Sequence, residues 1–251
     1  MSKKINRIGE EKLNNFGSKM KIIEYRNAND IDIYFEEYNW VFKKASYINY
    51  QRGNISCPYE KKTFGIGYLG EGKYNPSKNK NIFKRWQNML GRCYSKASLK
   101  YNPTYDCAEV SDEWLCFQNF AEWYEENYYE IKNNKMCLDK DILKKGNKIY
   151  SANTCVFVPE IINNLFVKSN KTRGEYPIGV TYNKEINKFE SKYTNKNNTV
   201  RLGYFDTPEK AFHEYKKYKE KHIKDVAEEY KNKIPNKLYK AMMNYKVEIT
   251  D

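Results

Sequence analysis

The feature that most constrains this chain is a change of hydrophobic period in its last third. Ile178, Val180 and Tyr182 alternate with Gly179, Thr181 and Asn183. Phe189, Ser191 and Tyr193 alternate with Lys188, Glu190 and Lys192, and Val200, Leu202 and Tyr204 alternate with Thr199 and Arg201. A period of two is the signature of strands that bury one face. Asn195-Lys-Asn-Asn198 supplies turn chemistry between the second and third runs. At Thr207-Pro208-Glu209 the period lengthens, and Phe212, Tyr215, Tyr218, His222, Val226 and Tyr230 recur along one helical side. Thr207 suits the N-cap, and Pro208 has the φ that a first helical residue needs. The expectation is three antiparallel strands backed by one long helix.

The rest of the 251 residues reads as a mixture of short strands and helices. Residues 20–26 and 31–35 are β-branched and aromatic runs around Asn27-Ala-Asn-Asp30, which predicts a hairpin. Runs at 41–42 and 46–50 suggest further strands, so residues 1–71 are expected to form a small β-rich, SH3-like domain. Gly65, Gly67, Gly70 and Gly72 are spaced like a phosphate loop but precede Lys73-Tyr-Asn-Pro-Ser rather than a helix. They read as a flexible connection. Ile82, Trp86, Met89, Leu90 and Cys93 predict a helix whose other face carries Arg85, Asn88, Arg92 and Lys96. A second helix is expected to start at Ser111 as N-cap, with Trp114, Phe117, Ala121, Tyr124 and Tyr128 as its apolar stripe.

Charge and cysteine usage narrow the class of protein. The net charge of +13 is patterned: residues 72–106 carry +7, residues 107–130 carry −7, and the segments that follow are basic. Such a balance points to a polyanion partner, with the acidic helix pairing with the basic one or simply solvated. The six cysteines form no C-x-x-C pair and have no nearby His, which disfavours a structural zinc site and leaves them as small buried side chains. No apolar run reaches the roughly 18 residues of a membrane span, and the start has no apolar signal core. No membrane partner is expected, and the expected location is the cytoplasm.

Two segments carry a resemblance. Gly179-Val180, Phe189-x-Ser191-x-Tyr193, Leu202-Gly203-Tyr204-Phe205 and Thr207-Pro-Glu-Lys-Ala211 resemble the AP2 DNA-binding domain. That family lays a three-stranded sheet in the major groove with a helix behind it. It usually has Arg soon after the Gly-Val pair and Trp at the position of Phe189, so the base contacts of its plant members do not carry over. Between Phe83 and Phe166, Trp86-Gln-Asn-Met-Leu-x-Arg92-Cys-Tyr94, Leu138-Asp-Lys-Asp141, Gly146-Asn147-Lys-Ile-Tyr150-Ser-Ala-Asn153-Thr-Cys155 and Asn163-Asn164 resemble phage-encoded HNH-like proteins that often carry an AP2 module. With residues 1–71, which lie outside both resemblances and are read as β-rich from their own strand pattern, the chain is expected to be α+β in three parts. These are the β-rich residues 1–71, a helical and degenerate HNH-like ββα domain at 72–176, and an AP2-like domain of three-stranded antiparallel sheet plus helix at 177–251.

The implied site residues follow. Thr181, Lys188, Glu190, Lys192 and Arg201 would face a DNA groove, with Arg85, Arg92, Lys140, Lys144, Lys145 and Lys148 adding backbone contacts. In an HNH nuclease a His beside an Asp activates water. Here that pair is Asp139-Lys140, and the only histidines, His213 and His222, lie on the C-terminal helix. If the chain is active, Asp139, Lys140 and Asn153 are the catalytic candidates, and Asp139, Asp141 and Asn164 would hold Mg2+ through oxygen. The alternative is that Asn147, Asn153 and Asn164 fix turns in a scaffold without chemistry. The resemblances therefore lead to a phage-type protein that binds double-stranded DNA in the host cytoplasm. Two alternatives are a Mg2+-dependent homing-type endonuclease and a counter-defence protein that blocks a host nucleic-acid-handling complex.

Overall fold

The structure is a computed structural model and describes residues 6–101, 105–167, 174–195, 198–249 and 251. It is a mixed α+β chain that divides into two compact units. Unit 1 comprises residues 1–126 and 149–151, and unit 2 comprises 127–148 and 152–251. The division thus falls after residue 126, and the boundary expected at residue 176 lies inside unit 2. None of the helices among the described residues is long and apolar enough to cross a membrane.

Unit 1 opens with an antiparallel meander of β1 (Glu11–Leu13), β2 (Lys19–Asn27), β3 (Asp30–Phe35) and β4 (Trp40–Ala45). Met20, Ile22, Ile31, Ile33 and Phe35 are fully buried on one face. At roughly 1.5–3 kcal/mol for each such side chain, burial dominates the sheet's stability. Arg26, bonded to the partly exposed Asp30 and the buried Asp32 at 2.6 Å each, closes the predicted hairpin. The run at 46–50, expected as a strand, is instead helix α1 (Tyr47–Gln51), capped by Ser46 Oγ accepting from Asn49 N. A short apolar run fits either period, and here the capping hydroxyl decides for helix.

The second part of unit 1 is built on aromatic packing. Helix α2 (Lys80–Tyr94) buries Trp86 against Phe117, and Trp86 Nε1 donates to Trp114 O at 2.8 Å. A short helix α3 (Lys96–Tyr101) follows, then strand β5 (Glu109–Val110). The helix expected after Ser111 is broken at Cys116 into α4 (Asp112–Leu115) and α5 (Phe117–Asn127), because Tyr68 pairs with the backbone there. Ser111 sits at the N-cap but its hydroxyl makes no capping bond and is buried without a partner. The glycine-rich segment is not a loose connection. A side chain at Gly67 would strike Leu90 and Trp86, and one at Gly70 would strike Cys116, so these glycines permit close approach of the backbone.

Unit 2 hangs on one helix. Strands β6 (Met136–Asp139) and β8 (Val156–Pro159) pair antiparallel and lead into α6 (Glu160–Asn163). Between them the chain leaves the unit, and β7 (Ile149–Tyr150) pairs parallel with β5 inside unit 1. The last strands, β9 (Val180–Asn183), β10 (Lys188–Asn195) and β11 (Asn198–Phe205), form an antiparallel sheet in the order β11-β10-β9. Helix α7 (Pro208–Tyr230) begins at the expected cap, with Thr207 Oγ1 accepting from Lys210 N. Its first half buries Ala211, Phe212 and Tyr215 against the sheet. Its second half buries Ile223, Ala227 and Tyr230 with the β6–β8 hairpin and α8 (Asn236–Met243). The expected turn residues Lys196 and Asn197 lie outside the described residues.

Candidate nucleic-acid interface

The face of the β9–β11 sheet turned away from α7 is fixed by strand alternation. Tyr193 and Ser191 of β10 are buried toward the helix, so Glu190, Lys192 and Thr194 point outward. Their paired neighbours share that face: Thr181 and Tyr204 flank Glu190, Arg201 sits opposite Lys192, and Thr199 sits opposite Thr194. The expectation that Tyr204 would face inward with Leu202 is corrected by a bulge. Ser191 pairs with Gly203 but Lys192 pairs with Arg201, so Leu202 is the extra residue and the strand changes face there. Tyr204 thereby joins the outer surface, stacked under Arg201 with the guanidinium 5.5 Å from its ring centre. The hydrophobic pattern of β11 carried no sign of this shift.

Glu190 is the hub of that face. Its carboxylate accepts from Arg201 Nε at 2.5 Å and from Thr181 Oγ1 at 3.4 Å, and Lys192 Nζ stands 3.9 Å away. The Glu190 side chain is 13% exposed and that of Arg201 66%, so the acid sits at the base and the guanidinium projects. Hydrogen bonding to Glu190 raises the Arg201 pKa above its ordinary value, keeping it cationic. Lys188 pairs at the rim with Asp206 at 3.2 Å. The surface thus combines cations, hydroxyls and an aromatic ring around one carboxylate. His222, expected on the apolar side of α7, is half-buried against Tyr193, with Nε2 3.3 Å from Asn195 Nδ2.

The Asp139 region is organised as a loop. Asp139 Oδ1 accepts from the backbone N–H of Asp141 at 2.9 Å and of Ile142 at 2.8 Å. Burial and the neighbouring Asp141 raise its pKa above the carboxylate norm, against the pull of those two amides. Lys140 is buried and donates to Asp141 Oδ2 and Asn147 O, each at 3.2 Å, while Asn147 Nδ2 donates back to Lys140 O at 2.7 Å. This corrects the expectation that Lys140 reaches phosphate: its ammonium is turned into its own loop. Asn153 is exposed in the turn before β8. Asn164 lines a cleft beside β10 whose described lining contains neither Asp139 nor Asp141. No group of three or more His, Cys, Asp or Glu among the described residues is arranged to hold a metal ion.

The outlying cations have separate fates. Lys144 and Lys148 are exposed. Lys145 is instead bonded to Asp251 at 2.7 Å, Glu248 at 3.2 Å and Lys246 O at 2.9 Å, so it ties down the C-terminal segment. Arg85 is half-buried on α2, and Arg92 hydrogen-bonds Tyr150 within unit 1. Sequence reading missed Tyr204 and the buried Lys219 of α7, which has the spacing of an ordinary apolar-face position. No family model, curated protein or solved structure matches this chain.

Proposed function

We propose that this protein binds double-stranded DNA by presenting the outer face of β9, β10 and β11 to the major groove. The observation that carries the reading is the Arg201–Glu190 pair. Of the Arg201 nitrogens it is Nε that donates to Glu190, and the Arg201 side chain is 66% exposed, which leaves the terminal nitrogens open to a partner. An Arg fork held at Nε suits guanine O6 and N7, and a two- or three-stranded ribbon fits the width of that groove. Lys188, Lys192 and Thr181 would supply phosphate and sugar contacts around it. The basic balance of the chain favours such a partner.

The Asp139 hairpin is taken as a scaffold within this reading. Its carboxylate braces the loop backbone and Lys140 braces Asp141 and Asn147, so neither is set up to activate water. The deciding experiment measures binding of a randomised duplex pool by fluorescence anisotropy, followed by sequencing of the bound fraction. An enriched motif that Arg201→Ala abolishes is expected, and unchanged affinity and motif in that variant would sink the reading. A Mg2+ plasmid-nicking assay is run beside it. Nicking that disappears in Asp139→Ala would replace the scaffold reading with the endonuclease one.

A further inference from the structure

The bulge at Leu202 places one aromatic side chain on an otherwise polar surface. Apart from Tyr204, the described residues that alternation and pairing assign to the outer face of the β9–β11 sheet are Lys, Arg, Glu, Thr and Asn. In an unbroken strand Tyr204 would follow Leu202 to the α7 side, and burial of its ring would favour that placement. Gly203, at φ +140°, takes up the distortion instead, in a region of backbone space that is open to glycine. Bulges commonly serve to re-aim a side chain. Here the re-aimed side chain is a tyrosine left 37% exposed.

Tyr204 and Arg201 act as one unit. Glu190 stands directly across the ladder from Tyr204 and accepts from Arg201 Nε, while the Arg201 guanidinium lies 5.5 Å from the Tyr204 ring centre. That separation falls between one and two base steps of about 3.4 Å each. With Arg201 on a guanine, the ring therefore meets a neighbouring base pair. A base pair offers the major groove hydrogen-bonding edges and one apolar group, the C5-methyl of a pyrimidine. An aromatic wall gains by covering that methyl, whereas covering a polar edge strips it of water without replacing the bond. We infer that Tyr204 is a second specificity-determining residue, its ring packing on the C5-methyl of a pyrimidine, thymine or 5-methylcytosine, in the base pair next to that guanine. The inference rests on the outer sheet face being the DNA reader, and it adds the base step which that face prefers.

Duplexes carrying the selected motif test it. In the base pairs that flank the guanine whose enrichment Arg201→Ala removes, the pyrimidine is varied among thymine, deoxyuridine, 5-methylcytosine and cytosine. Thymine differs from deoxyuridine, and 5-methylcytosine from cytosine, by one methyl group alone. In anisotropy titrations the full chain is expected to bind the methylated member of each pair about fourfold more tightly at one flanking position, the effect of burying one carbon. Tightest binding of thymine assigns the site to unmodified DNA, and tightest binding of 5-methylcytosine assigns it to methylated DNA; either supports the inference. Tyr204→Phe is expected to keep the fourfold ratio and Tyr204→Ala to bring it to one. If the ring only propped Arg201, Tyr204→Ala would lose the guanine preference and keep the methyl ratio. A methyl ratio of one in the native protein, or a ratio that survives Tyr204→Ala, overturns the inference while the sheet remains a DNA reader. Absence of any selected motif overturns both, so the two failures are told apart.

Discussion

Gly179 lies against the ring of Tyr215, so that any side chain at residue 179 would overlap the aromatic carbons, and its backbone has φ +78°. Sheet and helix touch there without an intervening side chain. Gly179→Ala is expected to cost about 2–4 kcal/mol, from overpacking and left-handed strain together. Denaturant unfolding monitored by tyrosine fluorescence checks this, and a change within 0.5 kcal/mol would show that the contact yields freely.

Glu190 and Arg201 are expected to separate affinity from discrimination. Glu190→Gln removes a negative charge from the sheet face and loosens the hold on Arg201 Nε. Binding to unselected duplex is expected to tighten while preference for the selected motif falls, by about tenfold for loss of one oriented bidentate contact. Competition binding at fixed salt gives both numbers, and a Glu190→Gln variant with unaltered preference would deny the carboxylate a positioning role.

Two adjacent lysines should behave differently. Lys144 is exposed, whereas Lys145 is bonded to Asp251 and Glu248. If the loop borders bound DNA, Lys144→Ala is expected to reduce the salt dependence of binding by about one charge equivalent. Lys145→Ala is expected to leave that slope alone and to lower stability by about 1–3 kcal/mol, since Asp251 loses a charge-assisted partner. Salt titrations and thermal melts of the two variants compare them directly.

Asp139 is expected to matter to its loop through acceptance rather than charge. Asp139→Asn keeps an oxygen for the Asp141 and Ile142 amides, and Asp139→Ala does not. The alanine variant is expected to lose about 1–2 kcal/mol more than the asparagine variant. Faster amide exchange at residues 141 and 142 in the alanine variant alone would register the same difference.

Cysteine reactivity should sort by burial. Cys107 is exposed, while Cys57 is 1% exposed and burial pushes its thiol up to about 11. At pH 8 a thiol reagent is expected to label Cys107 in the native protein and Cys57 only after unfolding. Because the native Cys57 thiol holds its proton when the unfolded one has lost it, its stabilising contribution is full below pH 9 and declines as pH rises toward 11. Peptide mapping after timed labelling reads the order, and early modification of Cys57 would contradict it.

The legible parts of this chain were those written in local code. Thr207-Pro208 placed the start of α7 correctly, and the alternation of β10 identified its buried face, because a cap and a two-residue period are properties of neighbours. The change of face at Leu202 was not legible, since a bulge is decided by the partner strand and leaves composition unchanged. The same holds for Lys145, whose partner Asp251 is 106 residues away, and for Lys140, which a basic-residue count assigns to phosphate but the loop claims for itself. Ser46 was a readable cap that the aromatic run after it obscured.

The excursion of β7 out of unit 2 also bears on how the chain is made. Unit 1 takes residues 149–151 as the partner of β5, yet those residues are synthesised after the first stretch of unit 2. At roughly 5–20 residues per second, the Glu109–Val110 edge waits on the order of seconds for the strand that pairs with it. A gene cut at residue 126 would therefore deliver an N-terminal product missing a strand of its own unit, and the two units are interleaved in the message although each has its own core.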